Sequence, residues 1–328
     1  AAASIGQVHR ARTDDGREVV VKVQYPGVAD SVDSDLAHLK LALRASGLVT
    51  TRKEALDTFF VELRDRMREE TDYTNEAQNV RWFAALHQDD PHIVIPEVVG
   101  ERSSGRILTL TYEPGDQIKD FDAEGYDQPT RNLLGQRLAH MMYRQIFELH
   151  AVHADPNPAN FAFRKNGEVV MYDFGCVKAF PADDAVAYRN TMRAFRDHDH
   201  PAIQQGLERI GLQRPGAKVR DQAALYAEVL SSFGPLLFDD QEIDFATAMN
   251  HQIFARVIAK GLRRPRQFQT AASILFTDRA QTGHYTNIKD MKARFNMHRI
   301  YRDYLALPQL GDPGFEERMR RVPKRPEV

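Results

Sequence analysis

His153-Ala154-Asp155-Pro156-Asn157-Pro158-Ala159-Asn160, followed further on by Tyr172-Asp173-Phe174-Gly175, is the stretch on which the fold turns. It places an Asn five positions after an Asp in a polar loop, then an Asp at the end of an apolar run, ahead of a Phe-Gly where the backbone can turn. Between them, Asn160 to Phe163 and Val169 to Tyr172 flank Lys165-Asn166-Gly167, whose Asn-Gly pair predicts a tight hairpin turn with positive φ. The two motifs therefore sit on either side of a hairpin. Together they supply two oxygen ligands, Asn160 and Asp173, for a hard cation such as Mg2+, which takes few protein oxygens and leaves the rest to phosphate or water. Alone, the first motif is more often just a loop and Asp173 just a strand-end cap; their pairing across a hairpin argues against both.

Working outward, Gln7 to Ala11 alternates, Asp14-Asp15-Gly16 follows, and Val19 to Val23 is an apolar run, which predicts two strands joined by a hairpin turn. From Asp35 to about Glu70 the spacing is helical, with Leu36, Leu39, Leu41 and Leu43, then Leu56, Phe59, Phe60, Leu63 and Met67. Ala77, Val80, Phe83 and Leu86 mark one face of a further helix, and Ile107 to Tyr112 is a strand ended by Glu113-Pro114-Gly115. Leu134, Leu138, Met141, Met142, Ile146 and Leu149 line a long amphipathic helix ending near His150. Beyond Pro181 only helical periodicities remain, without an internal repeat. The expectation is an α+β fold of two lobes, a small β-rich one with inserted helices and a larger helical one. Its expected divisions are 1–113, 114–235 and a helical extension at 236–328.

The 328 residues are enough for such a two-lobed fold, and 44 basic against 46 acidic side chains leave a net charge of −2, which argues against nucleic acid as a partner. A single cysteine, Cys176, excludes a disulfide framework and suits a reducing compartment, so a cytoplasmic location is expected. No apolar run approaches the roughly twenty residues that cross a bilayer. Ala1 falls inside a motif, so further chain is expected to precede it.

The Asp155-to-Asn160 spacing resembles the catalytic loop H-R-D-x-x-x-x-N of protein kinases, and Asp173-Phe174-Gly175 resembles their metal-binding D-F-G. Val19-Val20-Val21-Lys22 resembles the V-A-I-K strand, whose lysine reaches the α/β-phosphates and is held by a helix glutamate. Glu76 is the expected partner of Lys22, preferred to Glu62, Glu69 and Glu70. Against G-x-G-x-x-G-x-V, the segment Ala1 to Val8 keeps Gly6 and Val8 but has Ala1 and Ala3 where the first two glycines belong. Cβ atoms there hinder close approach to phosphates, so an altered nucleotide-binding mode is expected.

The chain is similar to a narrower group, the UbiB (AarF-domain) atypical kinases, which include the coenzyme Q kinases. The likeness rests on A-A-A-S-I-G-Q-V-H at 1–9, V-V-K-V-Q-Y-P-G-V at 20–28, E-T-D-Y-x-x-E-A-x-N at 70–79, H-A-D-P-N-P-A-N-F at 153–161 and Y-D-F-G at 172–175. What it implies is a kinase or ATPase using ATP or ADP with Mg2+, linked to isoprenoid quinone and lipid metabolism, with peripheral membrane contact and a lipid or isoprenoid partner. By motif position, Lys22 and Glu76 are the ion pair, Asp155 the catalytic-loop carboxylate, and Asn160 and Asp173 the metal ligands. Ala1, Ala3, Ser4, Gly6, Val8 and Glu113 join Lys22 around the nucleotide, and Glu70 and Asp72 are the family's E-x-D acids. The K-x-G-Q segment that those acids face in the family does not occur here.

Ala154 stands where regulated kinases often carry Arg, and no A-P-E follows the D-F-G; both tell against a peptide acceptor. A small or lipidic acceptor, or ATP hydrolysis, is the expected chemistry, with a nucleotide-switched binding module of little turnover as the alternative. A choline- or aminoglycoside-type kinase shares the Asp-Asn spacing, but the alanine loop and Glu70-x-Asp72 tell against it. His198-Asp199-His200 lacks a third ligand at a recognised spacing, and Cys176 reads as a small packed residue. The arginines at 263, 264 and 266 and the basic tail from Arg318 to Arg325 suit anionic lipid, although a disordered tail is the commoner case.

Overall fold

The computed structural model describes residues 6–45, 60, 64, 71–219, 221–248, 264, 266–269 and 272–326. Strands β1 (Gly6–Arg12) and β2 (Glu18–Gln24) form the expected hairpin, with Gly16 at φ 90° in its turn. Strand β4 (Ile107–Thr111) adds antiparallel to β2, so the sheet order is β1-β2-β4 with β2 central. On β2 the two-residue period puts Lys22 and Gln24 on one buried face, while Val23 between them is exposed. Gly6 lies opposite Gln24, and a Cβ there would run into the Val23 carbonyl, so strand packing by itself calls for glycine.

Helix α1 (Val28–Ala45) follows β2, with Leu36 buried and Leu39 and Leu41 exposed. Leu56, Phe59, Leu63 and Met67 of the inserted helical pattern lie outside the described residues, and Phe60 is buried. Helix α2 (Tyr73–Leu86) starts where Asp72, in extended conformation, accepts the Thr74 N–H at 2.9 Å. Its buried Tyr73, Ala77, Val80 and Phe83, at helical spacing, pack toward the sheet and the larger lobe, and Glu76 is buried on the same face.

Helix α3 (Gln128–Phe147) is the axis of the larger lobe. Asp127 caps it by accepting from Thr130 N–H at 2.9 Å, Pro129 sits in its first turn, and Leu134, Leu138, Met141, Met142 and Ile146 are fully buried. Beyond it run β5 (Ala151–His153), β6 (Phe161–Phe163), β7 (Val169–Met171) and β8 (Val177–Ala179). Strands β6 and β7 are the expected hairpin, with Gly167 at φ 93°, and β5 pairs with β8. Three pairings lack a sequence signal: β5 with β8, β3 (Ile93–Val94) parallel to β7, and β9 (Ile243–Asp244) with β10 (Arg294–Phe295).

The rest is helical: α4 (Ala182–Arg196), α5 (His200–Arg209), α6 (Gln222–Leu237), α7 (Ala272–Asp290), α8 (Met297–Leu305) and α9 (Pro313–Arg321). Asp199, from the His-Asp-His triplet, caps α5 by accepting the Ala202 N–H at 3.1 Å. One core joins the lobes, running from Val80 and Phe83 of α2 through Phe174 to α3 and α8, with the His153 ring against Phe83 and Phe174. No described helix is long and apolar enough to cross a membrane.

Candidate active site between the lobes

Lys22 arrives from the central strand and Glu76 from the first turn of α2, and their side chains meet at 2.5 Å, both almost fully buried. Lys22 also lies 2.9 Å from Asp173 Oδ2. Burial would push the ammonium down, but the carboxylates of Glu76 and Asp173 outweigh it and hold Lys22 above its ordinary pKa. Burial likewise pushes Asp173 up, yet Lys22 and the Gly175 N–H, 3.0 Å from Oδ1, leave it below the usual carboxylate range. Asp173 is thus ionised at neutral pH, and 40% of its side chain is open to solvent.

Helix α2 holds the Asp173-Phe174-Gly175 segment directly. The Phe174 N–H donates to Glu76 Oε1 at 3.3 Å, and Asn79, one turn on, donates to the Phe174 carbonyl at 3.0 Å. From the larger lobe, the His153 Nε2–H donates to the Asp173 carbonyl. Burial keeps His153 below its ordinary pKa, which suits a neutral ring with a fixed tautomer. Gln24, the second polar residue on the inner face of β2, donates to the Thr71 carbonyl and so ties the sheet to the entry of α2.

Asp155 and Asn160 face each other across their loop, with Asn160 Nδ2 donating to Asp155 Oδ2 at 2.7 Å. The amide oxygen of Asn160 is not used in that bond, and the Asn160 backbone carbonyl accepts from Tyr172 N–H at 3.0 Å, which docks the loop beside Asp173. Among the described residues no three His, Cys, Asp or Glu side chains cluster as a metal site. One carboxylate and one amide oxygen nevertheless fit a magnesium ion, which keeps few protein ligands when phosphates supply the others. Asp155 Oδ1 accepts from Arg279 at 2.9 Å.

Of the other anticipated residues, Gly6 and Val8 lie in β1 and Glu113 lies two residues beyond the end of β4. The Glu113 carboxylate is taken by Arg164 at 2.7 Å, and its carbonyl accepts from Tyr172 OH at 2.8 Å. Asp72 is present as the cap of α2, whereas Ala1, Ala3, Ser4 and Glu70 lie outside the described residues. Gln24 and Asn79 stand in quoted motifs without an assigned role, and Arg279 stands in none. Arg279 is 124 positions from Asp155 and belongs to no motif, so only the fold brings the two together.

The ABC1 atypical kinase-like domain matches residues 1–207. The chain is 36% identical over 200 residues to the atypical kinase COQ8, mitochondrial, of Saccharomyces cerevisiae, covering 60% of this chain and 39% of that protein. It is 33% identical over 254 residues to the atypical kinase coq-8, mitochondrial, of Caenorhabditis elegans, covering 74% and 33%. The chain therefore spans less than half the length of these relatives. Among solved structures, the Rv3197 protein of Mycobacterium tuberculosis, determined in complex with erythromycin, superposes with a TM-score of 0.73 at 25% identity, over 95% of this chain and 77% of that one. A kinase-like two-lobed α+β fold, the ordered motifs and a family match over most of the chain agree, and the chain belongs to the ABC1 (UbiB) family of atypical kinases.

Proposed function

We propose that the protein binds ATP or ADP with Mg2+ between its lobes and hydrolyses or transfers the terminal phosphoryl group. The observation that carries this reading is the joined cluster: Lys22 touches both Glu76 and Asp173, beside the Asp155–Asn160 pair. Lys22 would contact the α/β-phosphates, and the Asn160 amide oxygen and Asp173 carboxylate would hold the cation, which supplies charge neutralisation to the phosphates. Asp155 would accept the proton of the attacking hydroxyl or water. A bond forms from that oxygen to the γ-phosphorus, and the bond to the bridging oxygen breaks with its electrons leaving on the nucleoside diphosphate.

Gly6, Val8 and the alanine segment Ala1, Ala3 and Ser4 would cover the phosphates, with Glu113 at the connection between lobes. The 113/114 boundary is supported by the end of β4 at Thr111 and by the Tyr172–Glu113 contact from the other lobe. A helical extension at 236–328 is part of the same proposal. The acceptor we favour is small or lipidic, in isoprenoid quinone or lipid metabolism, met by a protein peripheral to a membrane. Glu70 and Asp72 would belong to the rim of that pocket.

Titration calorimetry with ATP and ADP, each with and without Mg2+, tests the nucleotide, and turnover with and without membrane lipid tests the chemistry. The reading expects Mg-dependent binding that Asp173→Asn abolishes, and turnover that Asp155→Asn lowers at least a hundredfold, as loss of a general base does. Unchanged turnover in Asp155→Asn would remove that residue from the mechanism.

A further inference from the structure

Asp155 is held from two sides: Asn160 donates to Oδ2 at 2.7 Å and Arg279 to Oδ1 at 2.9 Å. Arg279 comes from α7, beyond the residues 1–207 that the family domain matches. Three residues of α7 at a spacing of four, hence on one helical face, meet the same loop. Arg279 reaches Asp155, Gly283 lies against the Pro156 ring so closely that a Cβ would collide with it, and Asn287 donates to the Pro156 carbonyl at 3.0 Å. The backbone beneath Arg279 is therefore fixed to the loop that carries Asp155.

The ion pair itself does little for stability. Arg279 is 53% exposed and Asp155 33%, and ion pairs this open to solvent contribute little, because water and salt screen them. It also uses one of the five N–H donors of the guanidinium, which among the described residues makes no other hydrogen bond or ion pair. In-line attack places the nucleophilic oxygen between Asp155 and the phosphorus. Two successive contacts of about 3 Å then bring the phosphoryl group within roughly 6 Å of the carboxylate. A guanidinium already resting on that carboxylate spans this gap by side-chain rotation alone.

We infer that Arg279 is a catalytic arginine supplied in cis: it rests on Asp155 before nucleotide binds, then donates to the oxygens of the transferring phosphoryl group. The positive charge meets the negative charge that builds there, and Asp155 is released to take the acceptor proton. Arg279 stays protonated throughout; the bonds made and broken are those of the transfer above. The inference rests on the phosphoryl-transfer reading.

The test compares wild type with Arg279→Ala in the full-length protein, by steady-state turnover of ATP and calorimetric binding of MgADP. The expected result is a kcat lower by on the order of a hundredfold, with the Kd for MgADP within about threefold of wild type. Added guanidinium ion, below concentrations that unfold the protein, should restore part of the rate. A kcat within about twofold of wild type, or a loss of nucleotide binding in step with kcat and without rescue, makes Arg279 a loop support and overturns the inference. If Arg279→Ala does not fold, Arg279→Gln is judged by the same split between kcat and Kd. Absence of turnover in the wild type, with nucleotide bound, overturns the phosphoryl-transfer reading itself, and this inference with it.

Discussion

Asn79 donates to the Phe174 carbonyl at 3.0 Å, and the same amide accepts from Arg325 at 3.1 Å, so one buried side chain links the Asp173-Phe174-Gly175 segment to the last described residues. Arg325 also lies over the Trp82 ring at 5.8 Å, and the Trp82 indole donates to the Pro323 carbonyl at 2.9 Å. The last described residues therefore pack on α2, the helix that presents Glu76. Asn79→Ala leaves the Phe174 carbonyl unpaired in the core and should destabilise the fold by about 1–3 kcal/mol, read as a lower urea midpoint. It should also weaken nucleotide binding, because α2 and the Asp173 segment lose their shared anchor. Arg325→Ala, at an exposed rim, should move the midpoint by less than half as much. Equal shifts in the two variants would show that the tail, not the Phe174 bond, sets the stability of this region.

The Lys22–Glu76 pair yields a second prediction. Lys22→Met fills the space but leaves Glu76 buried beside Asp173 with no cation, and removing one partner of a buried pair commonly destabilises by about 3–5 kcal/mol. Lys22→Met with Glu76→Gln removes both charges and should recover most of that loss while remaining inactive. A double variant no more stable than Lys22→Met in chemical denaturation would mean that the pair does not carry the effect.

Gly283 gives a third. An added methyl at this position meets the ring of Pro156, which cannot rotate away as a flexible side chain would. Gly283→Ala must push α7 from the loop, and overpacking of this kind costs about 1–3 kcal/mol. Turnover should fall by more than the stability loss explains, because Asp155 and Arg279 move relative to each other. A Pro156→Ala second change makes room and should restore stability; failure to do so would place the strain elsewhere.

The grouping of these residues was legible in large part because it is set by local features of the chain. Asp155 and Asn160 share one loop, an Asn-Gly turn sets the hairpin to Asp173, and a period-2 strand delivers Lys22 inward. The choice of Glu76 required a helix face, which Tyr73, Ala77, Val80 and Phe83 define. Arg279, Asn79 and the three-residue strands β5 and β8 were not legible. Their partners lie far away in the chain, and a strand of three residues is too short for its alternation to be distinguished from a loop.

Acid should unfold the protein earlier than its near-neutral charge suggests, and three buried histidines with the part-buried Asp278 set the window. Burial, with Arg144 adding to it, lowers the pKa of His87 to about 4. Burial lowers His150 to about 4, with Arg189 nearby, and His284 to about 3, with His153 nearby. Each is depressed from 6.5, so the unfolded chain takes up the proton first and the folded state refuses it. Their stabilisation is therefore complete above pH 6.5 and falls as the pH drops, levelling near pH 4 for His87 and His150 and near 3 for His284. The full loss approaches on the order of 3 kcal/mol for each of the first two and more for His284, which together rival the whole stability of a domain. Asp278, raised by burial to about 6 and facing Tyr188 and Tyr285, works oppositely: its folded form takes up a proton first, so it gains stability as the pH falls from above 6 toward 3.8. Urea midpoints measured from pH 7.5 to 4.5 should decline steadily below about 6.5. The decline should be shallower in His284→Leu and steeper in Asp278→Asn, which loses the opposing group. A wild-type profile flat down to pH 5, or the reverse order of slopes in the two variants, would contradict this assignment of the proton uptake.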